Sequence, residues 1–128
     1  MKVLYLSNCC KEQQNNVTEF INDNNIGCML SAYSDKILRI SDSDAIKIAD
    51  NKAFEYYDFV IINCTYDVYF EDEYSSNCKG WAVSFAECKD YIDAYNGTNE
   101  SYFADYKGGT VSIYCSEFDE TVYETEIK

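Results

Sequence analysis

Apolar positions along the chain fall into short blocks whose spacing switches between two and about 3.6 residues, the mark of strands alternating with helices. Residues 2–6 form a short apolar run that predicts a buried first strand. Over residues 12–24, Val17, Phe20 and Ile21 share one helical face, and Asn24-Asn25-Ile26-Gly27 stops the helix. Residues 28–33 and 36–40 read as extended segments joined by a hairpin turn at Ser34-Asp35. Ser41-Asp42-Ser43-Asp44 is a dense N-cap signal, followed by Ile46, Ala49, Ala53 and Phe54 at helical spacing. Phe59-Val60-Ile61-Ile62-Asn63-Cys64 is nearly all apolar, which predicts a strand covered on both faces at the centre of the sheet.

The second half alternates more cleanly. Tyr66, Val68 and Phe70 are interleaved with Asp67, Tyr69 and Glu71, as in a half-buried strand. Residues 71–77 are polar and read as a loop. Ser84-Phe85-Ala86-Glu87 matches a capping box, with Phe85, Cys88, Tyr91, Ile92 and Tyr95 as the apolar stripe behind it. Asn96-Gly97 has the form of a C-cap, and residues 99–106 suggest one further helical turn. Gly108-Gly109 leads into Val111, Ile113 and Cys115 at period two, and residues 110–127 predict a C-terminal hairpin.

These elements predict an α+β (mixed α/β) class, with residues 1–128 forming one acidic domain. The expected architecture is a mixed, partly parallel sheet with a βαβ-like first half and a C-terminal β-hairpin. Residues 2–7 and 57–63 resemble strands of flavodoxin- or Rossmann-like domains. The loop Ser7-Asn8-Cys9-Cys10 has no glycine, however, and lacks the phosphate-cradling pattern such domains use.

Composition narrows the chemistry. The chain has no histidine and no proline. That removes the ordinary general base near neutral pH, the Ser/His and Cys/His nucleophile pairs, and the Cys/His zinc sets. Arg39 is the single arginine, so no cluster of guanidinium forks is available to clamp phosphate. The seven cysteines include no CxxC, and Cys28, Cys64, Cys88 and Cys115 lie in apolar runs, so reduced core thiols are expected. The absence of a leader-like apolar segment predicts a cytoplasmic protein with no membrane association. Cys9-Cys10, between a strand and a helix, is a candidate reactive thiol, with packing in a turn as the alternative. Asp42-Ser43-Asp44 and Glu71-Asp72-Glu73 carry hard-cation donors but not a calcium-loop spacing, so neither a metal nor another cofactor is expected. No catalytic residue is identified.

Charge is distributed unevenly. Residues 1–64 hold nine acids against six bases, whereas residues 65–128 hold fourteen against four and nine of the thirteen tyrosines. Two tracts carry the excess. The first contributes Asp67, Tyr69, Glu71, Asp72, Glu73 and Tyr74; the second contributes Glu117, Asp119, Glu120, Glu124 and Glu126. Carboxylates mixed with phenol rings suit lysines and arginines and repel nucleic acid and anionic membrane. The expected function is therefore a non-enzymatic binding or inhibitor protein that docks on a basic protein surface, such as that of a nucleic-acid-binding enzyme, by charge or DNA mimicry. In size and charge the chain is similar to small acidic inhibitors of phages and mobile elements, the anti-CRISPR and anti-restriction proteins. The alternative is a small-molecule or nucleotide-binding domain with its site near residues 7–10 and 63–66.

Overall fold

The computed structural model describes residues 1–128. The fold is α+β and comprises two compact units, Met1–Cys64 and Thr65–Lys128.

The first unit contains β1 (Lys2–Tyr5), α1 (Lys11–Asp23), β2 (Met29–Leu30), β3 (Ile37–Ile40), α2 (Asp42–Ala49) and β4 (Val60–Asn63). Its sheet order is β2-β3-β1-β4. Helix α1 begins where the Gln13 side chain accepts the Cys10 N–H at 3.2 Å, while the Gln14 amide donates to the Leu6 and Cys9 carbonyls. It ends as Asn25 turns left-handed (φ 51°), which asparagine tolerates better than most residues. Ser41 caps α2 by accepting the Asp44 N–H at 3.2 Å. Both helices cover one face of the sheet: Val17 and Ile21 from α1, with Ala45 and Ile48 from α2, close over Leu4, Leu38 and Ile40.

Several sequence expectations change here. Every hydrogen-bonded strand pair of this sheet is antiparallel, so the expected parallel pairing of neighbours is absent. The βαβ-like character survives in split form, since β1-α1-β2 and β3-α2-β4 each join two parallel strands with a third strand between them. β4 is an edge strand rather than the centre, with Val60 45% and Ile62 44% exposed. Only alternate members of its apolar run, Phe59 and Ile61, pack on the core, whereas Cys64 just beyond the strand is buried. In α2 the inward positions are Ala45 and Ile48, and Ile46 is exposed. Antiparallel pairing also places Asn63 beside Lys2, at the start of β1, whereas residues 7–10 follow the end of β1. The two segments of the alternative small-molecule site therefore lie at opposite ends of the sheet.

The second unit contains β5 (Tyr66–Glu71), β6 (Ser76–Val83), α3 (Phe85–Tyr95), α4 (Ser101–Asp105), β7 (Thr110–Cys115) and β8 (Glu120–Glu126), with sheet order β6-β5-β7-β8. All its pairs are antiparallel, and β7–β8 is the expected C-terminal hairpin. The expected loop at residues 71–77 contracts to a turn, because Glu71 belongs to β5 and Ser76 to β6. The Ser84 capping box forms as read: Ser84 Oγ accepts the Glu87 N–H at 3.2 Å, and Glu87 accepts the Ser84 N–H at 3.0 Å. Cys88, Tyr91 and Ile92 of α3 are buried, while Phe85 and Tyr95, expected in the same stripe, are exposed. The core centres on Phe70, stacked on Tyr102 at 5.0 Å and edge-on to Phe103 at 5.1 Å. Gly109 is required where β7 begins, since a Cβ there would collide with the Glu71 carbonyl oxygen.

Candidate partner-binding face

The sheet of the second unit has two unlike faces, generated by the period-two alternation of its strands. Val68, Phe70, Val111, Ile113 and Cys115 point to the helices and are buried. The intervening residues point the other way. Strand register arranges them in rows: Glu71, Thr110 and Glu126 in one; Tyr69, Ser112 and Glu124 in the next; Asp67, Tyr114 and Thr121 in the third. Glu71 and Glu126 are thus two strands apart, roughly 10 Å across the sheet.

The face is single-signed. Lys79, the one basic residue within these four strands, pairs opposite Val68 and so lies on the helix side. There its Nζ sits 4.3 Å from the Trp81 ring centre, 4.6 Å from Tyr91 and 5.1 Å from Tyr102. Lys89, on α3, is bound to Asp93 at 2.8 Å.

The expected binding residues divide by what their side chains do. The aspartates serve the chain itself. Asp67 accepts the Ala82 N–H at 2.8 Å across the β5–β6 irregularity, where Ala82 is left-handed (φ 51°). Asp72 accepts the N–H groups of Tyr74 and Ser75 at 2.9 and 2.8 Å and builds the β5–β6 turn. Asp119, itself left-handed, accepts the Tyr114 hydroxyl at 2.6 Å. The glutamates Glu71, Glu73, Glu124 and Glu126 are exposed and make no side-chain hydrogen bond or ion pair.

Position divides them again. Asp67, Tyr69, Glu71, Glu124 and Glu126 share the outward face. Asp72, Glu73 and the exposed Tyr74 lie in the turn at the Glu71 end, and Glu117 and Asp119 at the opposite end, between β7 and β8. Glu120 pairs with the buried Cys115 and so belongs to the helix side. Thr110, Ser112, Tyr114 and Thr121 join the face without having been singled out from sequence. For Thr110, Ser112 and Tyr114 the signal was the inward alternation of Val111, Ile113 and Cys115, which turns their neighbours in the strand outward, whereas Thr121 is placed by register opposite Tyr114.

The thiol and cation candidates look different in three dimensions. Cys9 is buried, and that burial pushes its thiol above the usual range, the reverse of an activated nucleophile. Cys64, Cys88 and Cys115 are buried as expected, but Cys28 is exposed, and no disulfide joins any of the seven cysteines. Burial pushes Cys88 up to about 11, and its thiol points at the Tyr66 carbonyl oxygen, 3.7 Å away. Asp42 binds the Met1 amino group at 3.0 Å and Asp44 binds Lys47 at 3.3 Å. No three carboxylate or thiol groups converge as metal ligands, and no helix is long and apolar enough to cross a membrane. Compared with known proteins, the chain has no significant match among family models, curated proteins or solved structures.

Proposed function

We propose that this chain is a non-enzymatic binding protein whose second unit docks through its outward sheet face on a basic surface of another protein. The partner surface is of the kind that otherwise holds a nucleic-acid backbone, so that docking inhibits by charge mimicry in the cytoplasm. One observation carries the reading: four carboxylates and two phenol rings share a sheet face that carries no lysine or arginine, while the one strand lysine is held on the other side. Single exposed ion pairs contribute little, but several acting together on a matching cationic groove raise the association rate and set orientation.

The test is competition between the full chain and duplex DNA for a basic DNA-binding domain, followed by fluorescence anisotropy at low and high salt. Wild type is expected to displace DNA, steeply less so as salt rises. Glu71→Lys combined with Glu124→Lys and Glu126→Lys should weaken displacement by at least about tenfold with an unchanged melting temperature. Asp72 is left out of this set because its carboxylate holds a turn. The control reversal of Glu12, Glu19 and Asp23, on α1, should displace DNA like wild type. Equal displacement by the two triples, or a response flat with salt, would overturn the reading.

A further inference from the structure

The outward face is not uniform, and its centre contains a depression of about 340 Å³. Small hydroxyl residues, Ser112 and Thr110, form its floor. Tyr69 and Tyr114 stand at one side and Glu71 and Glu124 at the others. The two rings lie 6.1 Å apart, centre to centre, inclined at 58°, so they form a wedge rather than a closed stack. Both phenols are tethered outward. Tyr69 hydroxyl lies 3.3 Å from Ser76 Oγ, and Tyr114 donates to Asp119 at 2.6 Å. The wedge is therefore held open before any partner arrives, which lowers the ordering cost of binding.

We infer that this depression is the seat of a single arginine side chain from the basic partner. The inference rests on the docking reading above and adds which cation the face selects. An arginine stem is long enough to enter a shallow depression, and its flat, weakly hydrated guanidinium stacks on a phenol ring. Its five N–H donors fan outward in one plane, toward carboxylates on different sides and hydroxyl oxygens beneath. A lysine brings the same charge as a compact, strongly hydrated point with no plane to stack. The depression itself supplies no competing cation, since none of its lining residues is basic. Long-range charge therefore brings the partner to the face, and the depression distinguishes arginine from lysine once it is there.

The experiment titrates the full chain calorimetrically with two capped peptides of equal length and charge, arginine alternating with glycine and lysine alternating with glycine. Wild type should bind the arginine peptide about tenfold more tightly. Ser112→Gln fills the floor without altering charge, and Tyr69→Leu removes one wall of the wedge. Either should bring the two affinities within about twofold, chiefly by weakening the arginine peptide. Folding of each variant is checked by its melting curve, and the two act by opposite means, one adding bulk and one removing it. Equal wild-type affinity for the two peptides would overturn the arginine seat while leaving charge docking intact. Preference surviving both variants would also overturn it. Absence of salt-dependent binding to either peptide would remove the docking reading and this inference with it.

Discussion

The two units solve the same architectural problem with opposite chemistry on their second faces. Each is a four-stranded antiparallel sheet with helices over one side. In the first unit the other side presents Val3, Tyr5, Ile37, Val60 and Ile62, a mostly apolar set interrupted by Arg39. In the second it presents Asp67, Tyr69, Glu71, Ser112 and Glu124. The first half carries nine acids against six bases and the second fourteen against four, so this is a difference in where charge is placed as well as in how much there is. The lesson is that a sheet needs only one apolar face to fold. What occupies the other face is free to serve recognition.

The largest effect should come from the helix-side cores. Phe70→Ala, at a fully buried ring in contact with Tyr102, Phe103 and Tyr106, should cost about 3–5 kcal/mol in urea denaturation. Ile62→Thr, on the second face of the other unit and 44% exposed, should cost less than about 1 kcal/mol. Comparable losses would show that the second face of the first unit is as structural as its core, and the contrast would fail. A smaller effect should separate the acids that serve the fold from those that do not. Asp67→Ala and Asp72→Ala each remove an acceptor of backbone N–H groups and should cost about 1 kcal/mol. Glu73→Ala should be neutral by the same measurement, and equal costs would erase the distinction.

The smallest effect is confined to alkaline pH. Burial first, and then the hydrogen bond to the Glu100 carboxylate, hold the Tyr91 phenol protonated well above the usual tyrosine range. Below about pH 10 the phenol is neutral in both the folded and the unfolded chain, and its shift has no effect. Above that the unfolded chain loses this proton while the folded one keeps it, so stability falls as pH rises. Urea midpoints should fall more steeply between about pH 10 and 11 for wild type than for Tyr91→Phe. Parallel slopes would show that Tyr91 is not the residue responsible.

Much of the second unit was legible because its signals are local. The Ser84–Glu87 box, the Asn96-Gly97 stop and the alternation of Val111, Ile113 and Cys115 each depend on residues only a few positions apart. β6 was missed because Ser76, Asn77, Cys78 and Lys79 carry no apolar alternation; it is an edge strand, and Lys79 fills an inward position by lodging among aromatic rings. The misplacement of β4 has a different cause. A run such as Val60-Ile61-Ile62 states that both faces tolerate apolar side chains but not which strands flank it, and flanking is a long-range property. Strand direction was lost for the same reason, since no local residue reports whether β4 runs with β1 or against it. The candidate face was half legible: sequence supplied the carboxylates, but only register brings Glu71 and Glu124, 53 positions apart by their numbers, around one hydroxyl floor.

The placement of Lys79 has a consequence for symmetry. The commonest homodimers are two-fold and isologous, so a patch at the axis meets its own copy. With the lysine held on the helix side, two outward faces of this sheet would set Glu71, Glu124 and Glu126 against carboxylates of the same kind, with no strand base to alternate with them. The sheet face is thereby poorly suited to pairing with its own copy across a two-fold axis.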